Sequence, residues 1–335
     1  MNRSTGRLLL VLLAALVVGP ASAQKTVSAP QASSRATDCA VGTAEADFTI
    51  GGVRARLYNI GGLFWRGTGA RYEVPARSGK NAVFAAGLWI GGLVDDSLRF
   101  AGSTYGPWEF WPGPLDADGE TTAETCAAFD RIWTVTTSDL NAYAETGVAT
   151  ADLEDWPVAF GAPFYRDLDR NNRQTAGEPT ISLDLEDAGY GTRALDLEGG
   201  KRPVVFGRQT MWWVMNDAGG EHEWSETDPL GVEVRVTAWT LGDLEAEDLL
   251  TSTFYRYEIV NRSADVLEDV YAGMFIDGDL GEFNDDYVGS DSTRSMVFFY
   301  NGDDVDDGRD GYGDRPPALG IDILSGAAVG RRAPK

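Results

Sequence analysis

The sequence predicts an all-β protein of antiparallel β-sandwiches, with long loops rich in glycine and aspartate and few short helices. Short segments alternate between apolar and polar residues, which is the two-residue period of a half-buried strand. The 335-residue chain contains 40 glycines and 14 prolines, which separate these segments at short intervals. Helical periodicity is scarce, and the combination favours sandwiches over alternating strand and helix units.

The clearest alternation lies in residues 230–240, where valines alternate with Glu233, Arg235 and Thr237. This pattern predicts a strand with one buried face and one polar face. Residues 253–259 repeat the pattern, and a polar turn follows them. The remaining predicted strands are rich in aromatic and β-branched side chains. They span residues 53–58, 82–90, 132–136, 210–215, 270–276 and 296–300, and the best helix candidate is 138–145.

Residues 1–23 have the three parts of a cleavable secretory signal peptide. Arg3 and Arg7 supply the positive region, residues 8–18 form an uncharged apolar run, and Ala-Ser-Ala at 21–23 offers a cleavage site. The apolar run is too short to span a bilayer comfortably. We therefore expect cleavage before Gln24 and export to the periplasm or cell surface of a Gram-negative type of bacterium.

The remaining chain of about 310 residues is long enough for one large domain or two ordinary ones. Residues 24–45 are predicted to form a flexible leader, because the segment is mostly small and polar. A polar stretch near residues 147–160 suggests a boundary between an N-terminal β-rich domain, 46–150, and a C-terminal sandwich-like domain with acidic loops, 151–335.

The exported chain is strongly acidic. Loss of Arg3 and Arg7 with the signal peptide reduces the cationic residues from 28 to 26, against 52 acidic ones, a formal charge of −26. Nucleic acids and anionic membrane surfaces need a basic footprint, so both are excluded as partners. Fifteen acidic residues lie in the segment 265–314, which contains two arginines. This concentration indicates carboxylates that hold cations, with a solvated, salt-adapted surface as the alternative.

The sharpest local motif is the twelve-residue stretch 167–178. It has the spacing of a calcium-binding loop, with oxygen-bearing side chains at positions 1, 3, 5 and 9 and a glutamate at position 12. Asn172 occupies position 6, where a positive φ is required and glycine is usual. No amphipathic helix flanks the stretch, so we predict a loop-type cation site, with a solvated turn as the alternative. The candidate ligands are Asp167, Asp169, Asn171, Arg173, Thr175 and Glu178.

A second acidic cluster lies between two predicted strands. So many neighbouring carboxylates would repel one another unless a cation or water screened them. Calcium is the natural counter-ion outside a cell, and a charged loop that aids solubility is the alternative. The candidate ligands are Asp277, Asp279, Asp285, Asp286 and Asp291.

The sequence contains two cysteines and one histidine. In an oxidising compartment the even count favours a disulfide between Cys39 and Cys126, and two unpaired thiols are the alternative. A zinc site is disfavoured, because too few cysteine and histidine ligands are present. His222 lies in a polar segment without a nucleophile motif and is predicted to lie at the surface. We expect a protein that is not an enzyme, although 52 acidic residues could include a pair that hydrolyses glycosides.

Ten tryptophans and twelve tyrosines would suit platforms on which sugars stack. Trp89, Trp133, Trp212 and Trp213 lie within predicted strands, where core packing is favoured. The run of aromatic residues and prolines over 105–114 is different, because it does not have a strand pattern. It is predicted to form either a recognition loop or a buried corner.

Several of these segments together resemble the N-terminal region of large secreted proteins of the Bacteroidota and Rhodothermota that carry a type IX secretion sorting domain. The resemblance covers residues 55–325, and it implies secretion without implying an activity. Those proteins continue to a C-terminal sorting domain, and we expect this chain to be a truncated product or a short variant. The matching segments are NAVFAAGLWIGG (81–92), FWPGPL (110–115), FDRIW (129–133), MFIDGDLG (274–281), DDYVGSD (285–291), FYNG (299–302), GYG (311–313) and PPALG (316–320).

Taken together, these features predict a secreted or cell-surface β-sandwich protein that is stabilised by calcium and has a structural, adhesive or binding role. Its partners would be extracellular glycans or proteins. The alternative is a carbohydrate-active protein, either a glycan-binding module or a glycoside hydrolase that uses a carboxylate pair.

Overall fold

A computed structural model describes residues 39–183, 195–242 and 249–325. The predicted signal peptide and most of the predicted leader lie outside these residues. The last part of that leader is ordered, contrary to expectation. Thr43 and Ala44 donate their backbone N–H groups to the carboxylate of Asp130 at 2.7 to 2.9 Å. A disulfide holds Cys39, and the first strand begins at residue 45.

The described residues are mostly β-strands, as the sequence predicts. Their strands are β1 Glu45–Asp47, β2 Arg54–Tyr58, β3 Gly62–Leu63, β4 Tyr72–Glu73, β5 Ala85–Val94, β6 Ser97–Ala101, β7 Trp111–Pro112, β8 Trp133–Thr136, β9 Phe164–Arg166, β10 Lys201–Pro203, β11 Gln209–Asn216, β12 Val232–Thr240, β13 Thr253–Asn261, β14 Glu268–Asp277, β15 Asp286–Asp291, β16 Met296–Asn301, β17 Val305–Asp306, β18 Gly313–Asp314 and β19 Ala318–Asp322. Their α-helices are α1 Ala123–Ala128, α2 Thr137–Thr146 and α3 Ala151–Glu154.

The strands form antiparallel sheets. The first sheet has the order β1-β2-β3-β5-β14, with β4 paired to β2 and β6 paired to β5. The second has the order β13-β12-β11-β7, with β8 also paired to β11. Three smaller sheets contain β9 with β10, β15 with β16 and β19, and β17 with β18.

The second sheet has an apolar core on each of its faces. From β11, Met211, Trp213 and Met215 belong to the first core, which the first sheet closes. Trp212 and Val214 from the same strand belong to a second core, formed with residues of the helices and of β9. This alternation places consecutive residues of one strand in opposite cores.

Burial of both faces corrects the prediction for β12, for which the alternating pattern indicated one exposed face. Glu233 and Arg235 are buried, and their side chains form a 2.8 Å ion pair. Arg262 approaches the same Glu233 oxygen at 3.2 Å. These paired charges are tolerated inside the protein because each finds a partner there.

The predicted domain boundary near residues 147–160 does not separate two sheets. β5 pairs with β14, and β8 pairs with β11, so strands from both sides of the boundary share one sheet in each case. The polar stretch that suggested a linker instead leads into α3, whose Leu153 is buried in the second core.

The predicted helix at 138–145 is present as α2. The side chain of Thr136 accepts a hydrogen bond from the backbone N–H of Asp139, and the carboxylate of Asp139 accepts one from the backbone N–H of Thr136. This reciprocal pair fixes the start of the helix. Gly147, with a φ of 70°, ends it. Within the described parts of the chain, none of the helices is long and apolar enough to cross a membrane.

Candidate cation sites and the surfaces around them

The first candidate site is the loop 167–178, which follows β9. Phe164 and Tyr165 of β9 are buried, and the backbone N–H of Asp167 extends the β9–β10 pairing with a 2.8 Å hydrogen bond to Gly200. Phe164 also forms a bridge with Ile181 just beyond the loop. Both ends of the loop are therefore held next to the second core.

Three predicted ligands come together in this loop. One carboxylate oxygen from each of Asp167, Asp169 and Glu178 lies within 4.8 Å of the other two. Asp167 and Glu178 are only 5% and 3% exposed, and Asp169 is exposed. In the part of the chain that the structure describes, no other group of three Asp, Glu, His or Cys side chains brings its ligand atoms this close together.

Backbone hydrogen bonds shape the loop around the carboxylates. Asp167 accepts from the N–H groups of Asn171 and Asn172, each at 3.0 Å. Asn172 has a φ of 57°, as position 6 of a calcium-binding loop requires. Glu178 accepts from Thr175 through both its N–H, at 2.9 Å, and its hydroxyl, at 3.1 Å. The hydrogen bond from the Thr175 N–H is the main reason why the pKa of Glu178 lies below its usual value.

The other predicted ligands contact neighbours within the loop. The Asn171 side-chain oxygen accepts from the N–H of Arg173 at 2.7 Å. Arg173 occupies position 7, which binds the cation through its backbone carbonyl oxygen in loops of this kind. Its positively charged side chain would not be a ligand. The guanidinium of Arg202 donates to Asn172 at 2.7 Å and lies 3.9 Å from an Asp167 oxygen. It offsets part of the negative charge.

The second acidic cluster is only partly assembled. Asp286 begins β15, and its carboxylate accepts from the N–H of Leu280 at 2.7 Å. Asp277 ends β14 and accepts from the Tyr105 hydroxyl at 2.6 Å. Asp291 does not join them, because it ends β15, about 16 Å along an extended strand from Asp286. There it accepts hydrogen bonds from Thr293 in a local turn and pairs with Arg294.

Several oxygens of this cluster are buried and have no hydrogen-bond donor among the described residues. Among the described residues, the inner Oδ1 atoms of Asp285, Asp286 and Asn301 are buried and accept no hydrogen bond. Asn301 lies directly opposite Asp286 in the β15–β16 pair. Its amide nitrogen donates to the carbonyls of Asp303 and Val305.

The acidic surroundings also change the ionisation of Asp279. Burial, followed by the charges of Asp277, Asp286 and Glu282, raises the pKa of Asp279 to about 6. Burial likewise raises the pKa of Asp286, although the Leu280 N–H opposes the change. The ionised forms of both groups are therefore disfavoured in the folded protein.

We expect Asp279→Asn to stabilise the protein at pH 7. Because the pKa of Asp279 is higher in the folded protein than in the unfolded chain, the free energy of unfolding falls as pH rises from about 4 to 6. Above that range the loss of stability stays constant. One pKa unit corresponds to about 1.4 kcal/mol, and solvent screening at a half-buried site reduces the expected gain to about 1 kcal/mol. Urea unfolding at pH 7 and pH 4, without divalent cations, would measure it. An equal gain at both pH values would contradict this explanation.

His222 is buried, which corrects its predicted surface position. The ring is 6% exposed, and each of its nitrogens lies 2.7 Å from a backbone carbonyl, of Phe100 and Asp217 respectively. The buried carboxylates of Glu109 and Asp217 lie 3.9 and 4.0 Å from the ring nitrogens. Local sequence did not indicate this buried cluster, because Glu109 lies more than a hundred residues from His222 along the chain.

The aromatic run 105–114 forms a buried corner at one end and is exposed at the other. Phe110 is buried in the first core, and Trp111 beside it is also buried. Tyr105 is 45% exposed and bonds to Asp277, which joins the run to the second acidic cluster.

Cys39 and Cys126 form a disulfide, with their Cα atoms 5.9 Å apart and a sequence separation of 87 positions. The bond attaches the segment before β1 to helix α1.

No family model, curated protein or solved structure matches the chain.

Proposed function

We propose that the chain is an exported, calcium-stabilised β-sandwich protein with a structural or binding role. The observation that carries the proposal is the convergence of Asp167, Asp169 and Glu178, with two of these carboxylates buried. Buried carboxylates need a counter-charge, and calcium accepts the mixture of carboxylate, amide and carbonyl oxygens that this loop contains. Export agrees with the disulfide, because such bonds persist in oxidising compartments.

Calcium in this loop would stabilise the layer that covers the second sheet. The loop connects β9 to the Ile181 bridge, and β9 contributes Phe164 to the second core. A cation bound by Asp167, Asp169 and Glu178 would connect the start of the loop to its end. Calcium is favoured over magnesium, because an irregular set of six or seven oxygen ligands suits the larger ion.

We expect calcium at a hundredfold excess over its dissociation constant to add about 2.7 kcal/mol to the free energy of unfolding. This corresponds to an increase of about 5 °C in the melting temperature. Calorimetry of the full chain with calcium chloride, with magnesium chloride and with EGTA would measure the effect. Magnesium should produce a smaller increase.

Asp167→Asn and Glu178→Gln should each remove most of the calcium-dependent increase. Asp118→Asn is the matched control, because it removes one exposed carboxylate far from the loop in sequence. That variant should respond to calcium as the unchanged chain does. An identical melting temperature in calcium and EGTA would reject the proposal.

A further inference from the structure

The outer face of the first sheet carries a row of aromatic side chains. On β5, Leu88 and Ile90 point into the first core, so Trp89 between them points outward. On β14, Phe275 lies on the same outward side, since its neighbours Met274 and Ile276 pack against that core. We call the outward set Trp89, Phe100, Tyr105, Trp224, Tyr271 and Phe275 the aromatic face.

Five rings of the aromatic face, all except Tyr271, form a connected set of contacts. Trp89 stacks on Phe275 with ring centroids 5.9 Å apart and an interplanar angle of 11°. Trp224 lies 5.6 Å from Trp89 and 5.8 Å from Phe100, and Tyr105 meets Phe275 edge-on at 5.5 Å. The aromatic face is partly open to solvent, with Tyr271 75% and Trp224 37% exposed. Together these side chains form an apolar strip on an acidic protein.

Gly273 leaves a gap in this strip. It pairs with Trp89 in the β5–β14 register and lies between Tyr271 and Phe275 on β14. A Cβ atom at this position would meet nothing within 4 Å. Glycine in the interior of a strand weakens it, and it often marks a place where a ligand approaches the backbone.

Other glycines near the aromatic face have a packing explanation. A Cβ at Gly102 would lie 2.6 Å from the Trp89 ring, and one at Gly87 would lie 2.7 Å from the Ser103 carbonyl oxygen. Gly273 has no such neighbour and no positive φ. The gap beside Trp89 is therefore open space, not a requirement of the fold.

Buried charge holds the Trp224 backbone in place. The carboxylate of Glu109, which is 1% exposed, accepts from the N–H groups of Trp224 at 2.8 Å and Ser225 at 2.6 Å. Its other oxygen accepts from Gly102 at 3.1 Å. A half-exposed indole on a backbone fixed in this way is positioned before any ligand arrives, which lowers the entropic cost of binding.

We propose that the aromatic face binds an uncharged glycan, with one sugar ring seated over Gly273 beside Trp89. The electron-rich ring faces attract the C–H groups of a sugar, and the carboxylate of Asp277 at the end of β14 can accept from its hydroxyls. The net charge of −24 disfavours anionic chains. An open strip suits a polymer better than a small apolar ligand, which requires an enclosed pocket.

Native affinity electrophoresis of the full chain would test this site. The gels would contain hydroxyethylcellulose, xyloglucan or galactomannan, with alginate as the anionic comparison. We expect retardation by at least one neutral polysaccharide and none by alginate. Absence of retardation in all neutral gels would overturn the proposal.

Two variants locate the site. Gly273→Val places a side chain in the gap, where a Cβ atom meets nothing within 4 Å, and valine suits a strand, so the variant should keep the melting temperature and weaken binding at least about tenfold. Trp224→Ala should also weaken binding at least about tenfold. Gly320→Val is the matched control, because Gly320 lies in β19, where a Cβ would make only an ordinary contact with Met296. It should bind like the unchanged chain.

Binding by Gly273→Val or Trp224→Ala at full strength would overturn the assignment. A second result would also overturn it: the unchanged chain binds no glycan but self-associates with increasing concentration, and Gly273→Val abolishes this self-association. The aromatic face would then be a protein interface. The inference is independent of calcium in the loop 167–178. Asp167→Asn should therefore still bind glycan in EGTA, which separates failure of this proposal from failure of the calcium proposal.

Discussion

Replacement of Cys39 by serine is expected to lower the free energy of unfolding by about 4 kcal/mol. The disulfide closes a loop between residues 87 positions apart, and loss of a cross-link of this length restores conformational freedom to the unfolded chain. Cys39 is the better partner to replace, since Cys126 is buried and its loss would also disturb packing. Urea unfolding under oxidising conditions would measure the difference, and the melting temperature should fall by about 8 °C.

The control for this experiment is reduction of the unchanged chain. Reduced protein and Cys39→Ser should show the same midpoint, and reduction should leave the variant unaffected. The double variant Cys39→Ser with Cys126→Ser should lose in addition only the packing energy of the buried Cys126, because either change breaks the same bond. A midpoint that does not respond to reduction would contradict a stabilising role.

Replacement of His222 by alanine is expected to lower the free energy of unfolding by about 4 kcal/mol, because it opens a cavity and leaves buried polar groups without their partner. Glu109 and Asp217 have fully buried side chains, and each ring nitrogen of His222 lies 2.7 Å from a backbone carbonyl oxygen. Burial raises the pKa of Asp217, although the N–H groups of Val232 and Leu230 oppose the change. Trp111 stacks on the ring at 5.9 Å, so its packing would also be lost. Urea unfolding at neutral pH would measure the change.

The matched control is Glu221→Ala, an exposed acidic residue next to His222, which should change stability by less than about 0.5 kcal/mol. Combining His222→Ala with Glu109→Gln should cost less than the sum of the two single changes, because the two side chains belong to one buried cluster. A loss no larger than that of Glu221→Ala would contradict a stabilising role for His222.

Local patterns predicted many of the longer strands. The segments 53–58, 132–136, 253–259 and 296–300 correspond to β2, β8, β13 and β16 with ends that differ by one or two residues. The helix α2 was also predicted within one residue at each end. These elements depend on alternation, capping and turn residues that lie next to one another in the chain, so local sequence is sufficient.

The geometry of the first candidate cation loop was predictable for the same reason. Its candidate ligands lie within twelve residues, and Asp167, Asp169 and Glu178 come together in the folded loop. The second cluster was less predictable, because its members come from different strands. Asp291 was assigned to it by sequence proximity, but the extended geometry of β15 carries it away from Asp286.

The sequence by itself determined the all-β class, the positions of the main strands and the carboxylate spacing of the loop 167–178. Only the tertiary structure decided which polar residues are buried and which aromatic residues are exposed. His222 lies in the interior, where Glu109 from a distant segment and Asp217 from the same segment approach it, and Trp89 faces outward because Leu88 and Ile90 occupy the core side of β5. Burial depends on which sheets face each other, and that depends on contacts between residues far apart in the chain.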